Sequence, residues 1–403
     1  MCALARLCAG RHPSFLQQGR GLFIWDVYLC LSDPADCGEL VPGCRSVTDV
    51  CCFNIGNIAT RSVVVALCGT ACFAESQKAK FRSGNGAGKV IQPAISVVVP
   101  LYNKADYINA TLESLLAQTH EDFQVLVVDN GSTDTGSQCV RDVASRDNRV
   151  QLSSSPKQGP GHARNFGVQN STGRWIQFLD ADDLLEPDHL ANLIEIANRN
   201  PDATVIAGGW KEFVDGNPND FVAKRPASEA DPTEIANATI AASPWAVHAA
   251  LVDRQLILDH PWPEHLDGLL AEDNAFWFGI CLHGSVVFSS SASALYRTQT
   301  ENCRTQSGDI QKWFDGVNAA AEENVKALRA LGREPNPQQA SALMRLYSGL
   351  YNQAIEANNT QYAKLAAEKA NHWLSRCESS SGSLMLRKLI GIPLFEKTRR
   401  LIG

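Results

Sequence analysis

The stretch "RWIQFLDADDLLEPDHL" (174–190) runs from apolar residues straight into Asp180, Asp182, Asp183 and Glu186. Like charges this close repel unless cations or hydrogen-bond donors compensate them. Asp180 and Asp182 stand at alternate positions, and two such carboxylates can converge on one oxygen-loving divalent cation, Mn²⁺ or Mg²⁺, which could then hold a diphosphate. The plainer reading is that Asp182, Asp183 and Glu186 favour the start of the helix "PDHLANLIEIANRN", with Pro187 in its first turn. Asp129, at the end of the apolar run "VLVVD", weighs toward the chemical reading.

Such carboxylates need elements to place them. "AISVVVPLY" (94–102) is β-branched and nearly all apolar, as in a strand covered on both faces, and Pro100 is expected to end it. "YINATLESLLAQ" sets Ile108, Leu112, Leu115 and Leu116 on one helical stripe. "DFQVLVVDNGSTD" predicts a second buried strand entering a turn, where Thr133 or Asp134 can cap the following helix. "RVQLSSS" reads as a third strand, "GHARNFGVQN" as a short helix and "GRWIQFLD" as a fourth strand. This alternation predicts an α/β fold with a mostly parallel, right-handed sheet and helices on both faces. Ligands of such sheets bind beyond the carboxyl ends of the strands, where Asp129 and Asp180 both fall.

"ISVVVPLYNKADYINATLESLLAQT", "VLVVDNGSTD", "GPGHARNFG" and "GRWIQFLDADD" follow, in order and spacing, the pattern of glycosyltransferase family 2, which the chain resembles over about residues 94–300. The resemblance implies a GT-A fold, a Rossmann-like nucleotide-diphospho-sugar transferase fold, and inverting transfer of sugar from a nucleotide-sugar donor. It implies that Pro100 and Tyr102 line the nucleotide pocket and that Asp129 bonds the base, usually uracil. Asn130 stands where the family often has a second Asp; it keeps an acceptor and loses the charge. Arg164 and Asn165 match the family's "ARN" segment beneath the nucleotide. Asp180-Ala181-Asp182 resembles the D-x-D motif, with Asp180 facing the ribose and diphosphate and Asp182 the Mn²⁺ or Mg²⁺ ligand.

Inverting displacement needs a base on the acceptor side. In "LDGLLAEDNAFWFGICLHG", Glu272 and Asp273 match the family's Glu-Asp at a helix start; Asp273 is assigned as the base and Glu272 as the alternative, against a plain helix-terminus role. Asp267 and Gly268 before them suggest an open, adaptable acceptor loop. Trp245 could stack on a sugar face, though a Trp is more commonly core. His248 reads as structural. Arg297 and Arg304 could fold over the diphosphate or be solvated loop charges.

A net charge of −7 provides no basic field for nucleic acid. Nine of 13 cysteines lie in the first 80 residues, without paired zinc spacing or a clear export signal, so residues 1–93 read as a Cys-rich irregular extension ending in a linker over 76–93. "SVVVALCGTACFA" falls short of the roughly 20 apolar residues that span a bilayer. The expected plan is this extension, a GT-A domain at 94–305 (nucleotide-binding half 94–185, acceptor half 186–305), a helical region at 306–380 and a basic amphipathic tail at 381–403.

Within the helical region, Leu343, Leu346, Tyr347, Leu350, Tyr351 and Ala354 form one stripe, and Tyr362, Leu365, Ala366 and Trp373 a second. The tail mixes Leu and Ile with Arg387, Lys388, Lys397, Arg399 and Arg400. It could lie on an anionic membrane or dock as a helix broken at Pro393. The expected partners are therefore a nucleotide-sugar donor and a glycan or lipid-linked acceptor, with peripheral membrane contact through the tail and no nucleic acid. "NGS" at Asn130 falls in the proposed nucleotide turn, where a glycan would block the donor, which favours a cytoplasmic placement at the inner face of the membrane. A dehydrogenase is disfavoured because no glycine fingerprint follows the first strand, and a sugar nucleotidyltransferase because no Gly-rich basic loop is found. A non-catalytic binding module of the same fold remains the alternative to an enzyme.

Overall fold

The computed structural model describes residues 27–30, 51–58, 61–67, 94–217, 219–225, 232–300, 309–378 and 382–402. Two compact units divide the chain, Met1–Lys89 and Val90–Gly403. In the first, β1 (Val27–Cys30), β2 (Cys51–Ile58) and β3 (Arg61–Leu67) form an antiparallel sheet in the order β1-β3-β2. Sequence suggested only irregular chain there; the β-branched run Val63–Val65 accounts for β3. The linker expected at 76–93 lies outside the described residues.

A nine-stranded sheet organises the second unit, in the order β6-β5-β4-β7-β11-β9-β12-β8 with β10 on β9. Its strands are β4 (Ile95–Leu101), β5 (Phe123–Asp129), β6 (Val150–Ser154), β7 (Trp175–Phe178), β8 (Leu184–Leu185), β9 (Val205–Val214), β10 (Phe221–Lys224), β11 (Ala250–Asp253) and β12 (Val286–Thr298). The first four pair in parallel. Chain order runs outward from β4 to β6, then returns to place β7 on the other side of β4, a topological switch point of the kind that opens a ligand crevice.

Beyond β7 the sheet is mixed: β11 is antiparallel to β7 and β9, β12 parallel to β9, and β8 antiparallel to β12. "Mostly parallel" therefore describes the first half alone, because connections in the second half are not uniform strand–helix–strand crossovers. Pro100 does not end β4. It pairs with Val128 of β5, while β7 pairs only with residues 95–98, so the missing N–H of Pro100 lies past the end of that second neighbour.

The helices are α1 (Ala105–Leu116), α2 (Gly136–Ala144), α3 (Pro160–Asn170), α4 (His189–Arg199), α5 (Pro232–Thr239), α6 (Arg254–Asp259) and α7 (Glu272–His283), then α8 (Ile310–Ala330), α9 (Pro337–Glu356), α10 (Thr360–Leu374) and α11 (Gly382–Ile402). Asp134 holds the starts of two of them, accepting from Gly136 N at 3.0 Å and Ala105 N at 2.8 Å. Gly167 lets α3 approach the sheet, since a Cβ there would lie 2.3 Å from Val98.

Two cores result. One fills the space around the sheet, and the other joins α8, α9 and α10 through Phe314, Leu328, Leu343, Tyr347, Leu350 and Trp373. Helix α7 links them, with Trp277 and Ile280 in the first and Phe278 in the second. The α/β fold followed by a helical C-terminal region is as the sequence suggested. Leu365, expected in the α10 stripe, is instead 37% exposed.

Candidate active site

Three strands deliver side chains to one end of the parallel half. β5 ends on Asp129, β4 runs past Pro100 into Tyr102, and β7 leads to Asp180 and Asp182. Pro100 is half-buried, while Tyr102 is 51% exposed and its ring is available as a stacking platform. Asp129 accepts from Ser132 N at 2.9 Å and from the Ser137 hydroxyl at 2.6 Å. Burial pushes its pKa up, but these bonds outweigh it and hold the carboxyl below its usual range. Asn130 is buried, and its side-chain oxygen accepts from Gly159 N at 3.1 Å. The acceptor that this position keeps is therefore spent on the loop entering α3.

Arg164, 4% exposed on α3, lies at the centre. Its Nη2 donates to Asp180 Oδ1 at 2.6 Å, its Nη1 is 4.0 Å from Glu272 Oε1, and its guanidinium packs 4.3 Å from the Trp262 ring centroid. Nε and Nη1 are buried without a hydrogen-bond partner among the described residues. A buried cation with donors to spare suits an anionic ligand.

Asp182 Oδ2 meets Lys104 Nζ at 2.6 Å, with side chains 18% and 19% exposed. No group of three or more His, Cys, Asp or Glu side chains among the described residues is arranged around a common metal position. A divalent ion here would take its protein ligands from Asp182 and Asp180 and the rest from phosphate and water, a ligand set that Mg²⁺ accepts. Carboxylate oxygens are the right donors for such an ion, but Asp182 is held by Lys104 and Asp180 by Arg164, and both pairs would have to yield.

The acidic cluster is not a helix cap. Helix α4 is preceded by Asp188, which makes no side-chain cap bond, and Glu186 pairs with Lys211. Asp183 is buried. Its Oδ1 accepts from Arg297 N at 2.7 Å, and its Oδ2 lies 3.1 Å from His248 Nδ1. Burial, reinforced by the charges of Asp182 and Asp180, pushes the Asp183 carboxyl well above the usual range, and burial lowers His248 to about 4. Both groups are driven toward their neutral forms, and His248 is structural as expected.

On the facing side, Ala271 adopts a left-handed conformation (φ 66°), a strained geometry for a residue with a side chain, and turns the chain into α7. Glu272 is buried against Arg164. Asp273 is half-buried, and its Oδ2 accepts from the Ser243 hydroxyl at 2.8 Å. Burial raises the Asp273 pKa, the neighbouring Glu272 charge adds to this, and the Ser243 bond only partly offsets them.

The loop before α7 is not open, as the sequence had suggested, but latched. Asp267 accepts from Gly161 N at 2.7 Å and His162 N at 3.0 Å, at the start of α3. Glu264 meets His162 Nδ1 at 2.8 Å and accepts from Asn165 Nδ2 at 3.0 Å. Only glycine fits at Gly159 (φ 141°), where a Cβ would lie 2.0 Å from Asp267 Oδ2. Asn165 also exchanges bonds with the Trp262 backbone, at 2.9 and 3.0 Å, so its amide is committed to this loop and not to a nucleotide. From the far side, α8 presses Gly316 against the Leu270 backbone, where a Cβ would lie 2.1 Å from the carbonyl oxygen.

Two further expectations change. Trp245 is 2% exposed with its ring 5.2 Å from that of Trp277, so it is core and unavailable to a sugar. Arg297 is neither a lid nor a solvated loop charge: it lies on β12, where Nε donates to Asp182 O at 2.6 Å and Nη1 to Asp215 Oδ1 at 2.7 Å, fixing the backbone of the acidic turn. Arg304 lies outside the described residues. Lys104, Glu264 and Asp267 as site-shaping contacts were not legible beforehand. Lys104 carried a weak signal, lying just past the end of β4; Asp267 signalled only an open loop, and Glu264 carried none.

Residues 96–245 match the family model "Glycosyl transferase family 2". An uncharacterized glycosyltransferase of Rickettsia bellii is 35% identical over 125 residues, which cover 31% of this chain and 18% of that protein. An uncharacterized glycosyltransferase of Haemophilus influenzae is 29% identical over 211 residues, covering 51% of this chain and 79% of that protein. The structure of S. aureus TarS 1-349 in complex with UDP-GlcNAc is similar at a TM-score of 0.47 and 18% identity, over 69% of this chain and 91% of that one. Residues 96–245 thus resemble family 2 glycosyltransferases, and the chain spans under a fifth of the length of the Rickettsia relative.

Proposed function

We propose that this family 2-like domain catalyses metal-dependent, inverting transfer of a sugar from a nucleotide-diphosphate donor, a UDP-sugar first among the candidates, to a hydroxyl of a glycan or glycolipid, in the building of polysaccharide or another glycoconjugate. The observation that carries this reading is Arg164, whose guanidinium draws together Asp180 on the donor side and Glu272 on the acceptor side. In this proposal residues 94–185 form the nucleotide-binding half, 186–305 the acceptor half and 306–380 a helical support.

Tyr102 and Pro100 flank the base, Asp129 accepts from it, and Asp180 with Arg164 faces the ribose and diphosphate. Asp182, with Asp180, holds Mn²⁺ or Mg²⁺, which when bound neutralises charge developing on the departing diphosphate. The acceptor hydroxyl attacks the anomeric carbon from the face opposite the diphosphate. Its oxygen forms the new bond as the bond to the phosphate oxygen breaks, and its proton passes to Asp273. A carboxylate whose pKa is raised by burial is a better proton acceptor than one in water, and the Ser243 bond orients it. The latch through Glu264 and Asp267 positions Asp273 without touching substrate.

The test is thermal unfolding with UDP, GDP, dTDP and CMP, and with UDP- and GDP-sugars, each with and without Mn²⁺, followed by an assay for nucleotide release. A ligand at about 100 times its Kd stabilises the folded state by roughly 2.7 kcal/mol. The expected result is a shift with one nucleotide diphosphate that requires metal, together with donor turnover when acceptor is supplied. No shift with any nucleotide overturns the proposal; a shift without turnover would mark a binding module.

A further inference from the structure

We propose that α11 seats the protein on an anionic lipid surface. This helix is two segments broken at Gly391 (φ 77°), with Pro393 just beyond. Met385, Leu386 and Leu389 are 60%, 43% and 82% exposed, and their spacing puts them on one face of the first segment. Leu394, beyond the break, is 52% exposed.

The opposite side is fixed to the body of the protein. Ile392 is buried in the helical core and its N–H donates to Asn371 at 3.1 Å, Lys388 Nζ donates to Cys377 O at 2.6 Å, and Arg400 reaches Asn352 at 2.8 Å and Glu356 at 3.3 Å. With that side anchored, four exposed apolar side chains on so short an element are left facing outward.

Charge selects the occupant. Residues 382–402 carry five cations, Arg387, Lys388, Lys397, Arg399 and Arg400, against one acid, Glu396; Lys388 and Arg400 are held on the anchored side, so the outward charge comes from the rest of the segment, the exposed Lys397 first. Glu396 is 1% exposed and already paired with Arg387 and Arg399. The whole chain has a net charge of −7, so this segment is a local reversal of sign. A two-fold contact between copies would set these cations against one another, whereas an anionic lipid surface takes both the charge and the exposed leucines. No helix among the described residues is long and apolar enough to cross a membrane, so the contact is interfacial.

The experiment is co-sedimentation of the full chain with phosphatidylcholine vesicles, with and without phosphatidylglycerol, at low and high salt. Binding is expected only with phosphatidylglycerol and should weaken with salt. Leu389→Glu should lower the partition about tenfold or more, and Lys397→Gln about fivefold. Unfolding temperature should be unchanged for Leu389→Glu, because the side chain is exposed. Equal binding to phosphatidylcholine alone, no binding at low salt, or an unaffected Leu389→Glu variant overturns the proposal. So does a lipid-free dimer in sedimentation velocity that the same substitution dissolves, which would assign the face to a second copy.

Discussion

On one side of the opening, Asp182 meets Lys104 at 2.6 Å with both side chains partly in water. On the other, Asp267 takes two backbone amides of α3 at 2.7 and 3.0 Å, Asn165 closes three bonds onto residues 262–264, and α8 packs its backbone on Leu270. Partly exposed ion pairs are worth at most about 1 kcal/mol and exchange readily for a ligand of higher charge. Backbone amides held by a carboxylate, in a loop that tolerates no Cβ at Gly159, do not exchange. The side bearing Asp182 can thus trade partners, whereas the side bearing Asp273, the proposed base, is held in place.

The sharpest way to break this contrast is to remove one function from each side. Asp273→Asn should lower transfer by about 10²- to 10⁴-fold, the usual contribution of a positioned base, while leaving nucleotide affinity unchanged. Turnover near that of the unaltered protein would move the base to Glu272 or elsewhere. Asp182→Ala should act in the opposite sense, costing roughly tenfold or more in Mn²⁺-dependent nucleotide affinity, about 1.4 kcal/mol per decade. An unchanged Kd in isothermal titration would remove Asp182 from the metal site.

The same contrast explains how much was legible in the sequence. Strand ends announce themselves: "VLVVD" and "WIQFLD" stop at carboxylates, and the α/β alternation fixes which end of the sheet they share. The first half of the fold and the donor-side carboxylates follow from that local pattern. Acceptor-side geometry depends on pairs far apart in the chain, such as Asp267 with Gly161 and Arg164 with Glu272, and no local period encodes them. Trp245 shows the same limit in reverse, since its type suited a sugar platform and only its packing on Trp277 identifies it as core. Arg297 falls in a segment whose polar sequence suggests a loop, whereas β12 runs through it to Thr298.

The latch can be loosened without touching substrate. Asp267→Ala leaves the Gly161 and His162 amides without their acceptor and should cost about 1–2 kcal/mol of stability, as for the loss of an N-cap. Gly316→Ala should act from the other side by pushing on Leu270. If the latch positions Asp273, each variant should lower kcat for transfer while the donor Kd stays constant. A fall in donor affinity equal to the fall in kcat would mean that the two sides are one structural unit and that the contrast is false.

The smallest effect concerns acid and the seat of α4 on the sheet. His189 is buried, bonded to Ser293 at 2.9 Å and within 3.4 Å of the Gln177 side-chain oxygen; burial first, and then His248, lowers it to about 3. Unfolding frees it to bind a proton near pH 6.5, so the unfolded state takes up more protons. Its contribution is therefore fully present above that pH and is lost as pH falls from about 6.5 toward 3. Between pH 7 and pH 6 the loss from one such histidine is about 0.7 kcal/mol. Denaturant midpoints across that interval should fall, and His189→Gln should flatten the slope by about this amount. An unchanged slope would mean that the imidazole is charged, or open to water, in the folded protein. The sheet at β7 and β12, to which His189 is bonded, would then itself admit water, and the line between a yielding side and a fixed side would have to be drawn at α7 alone.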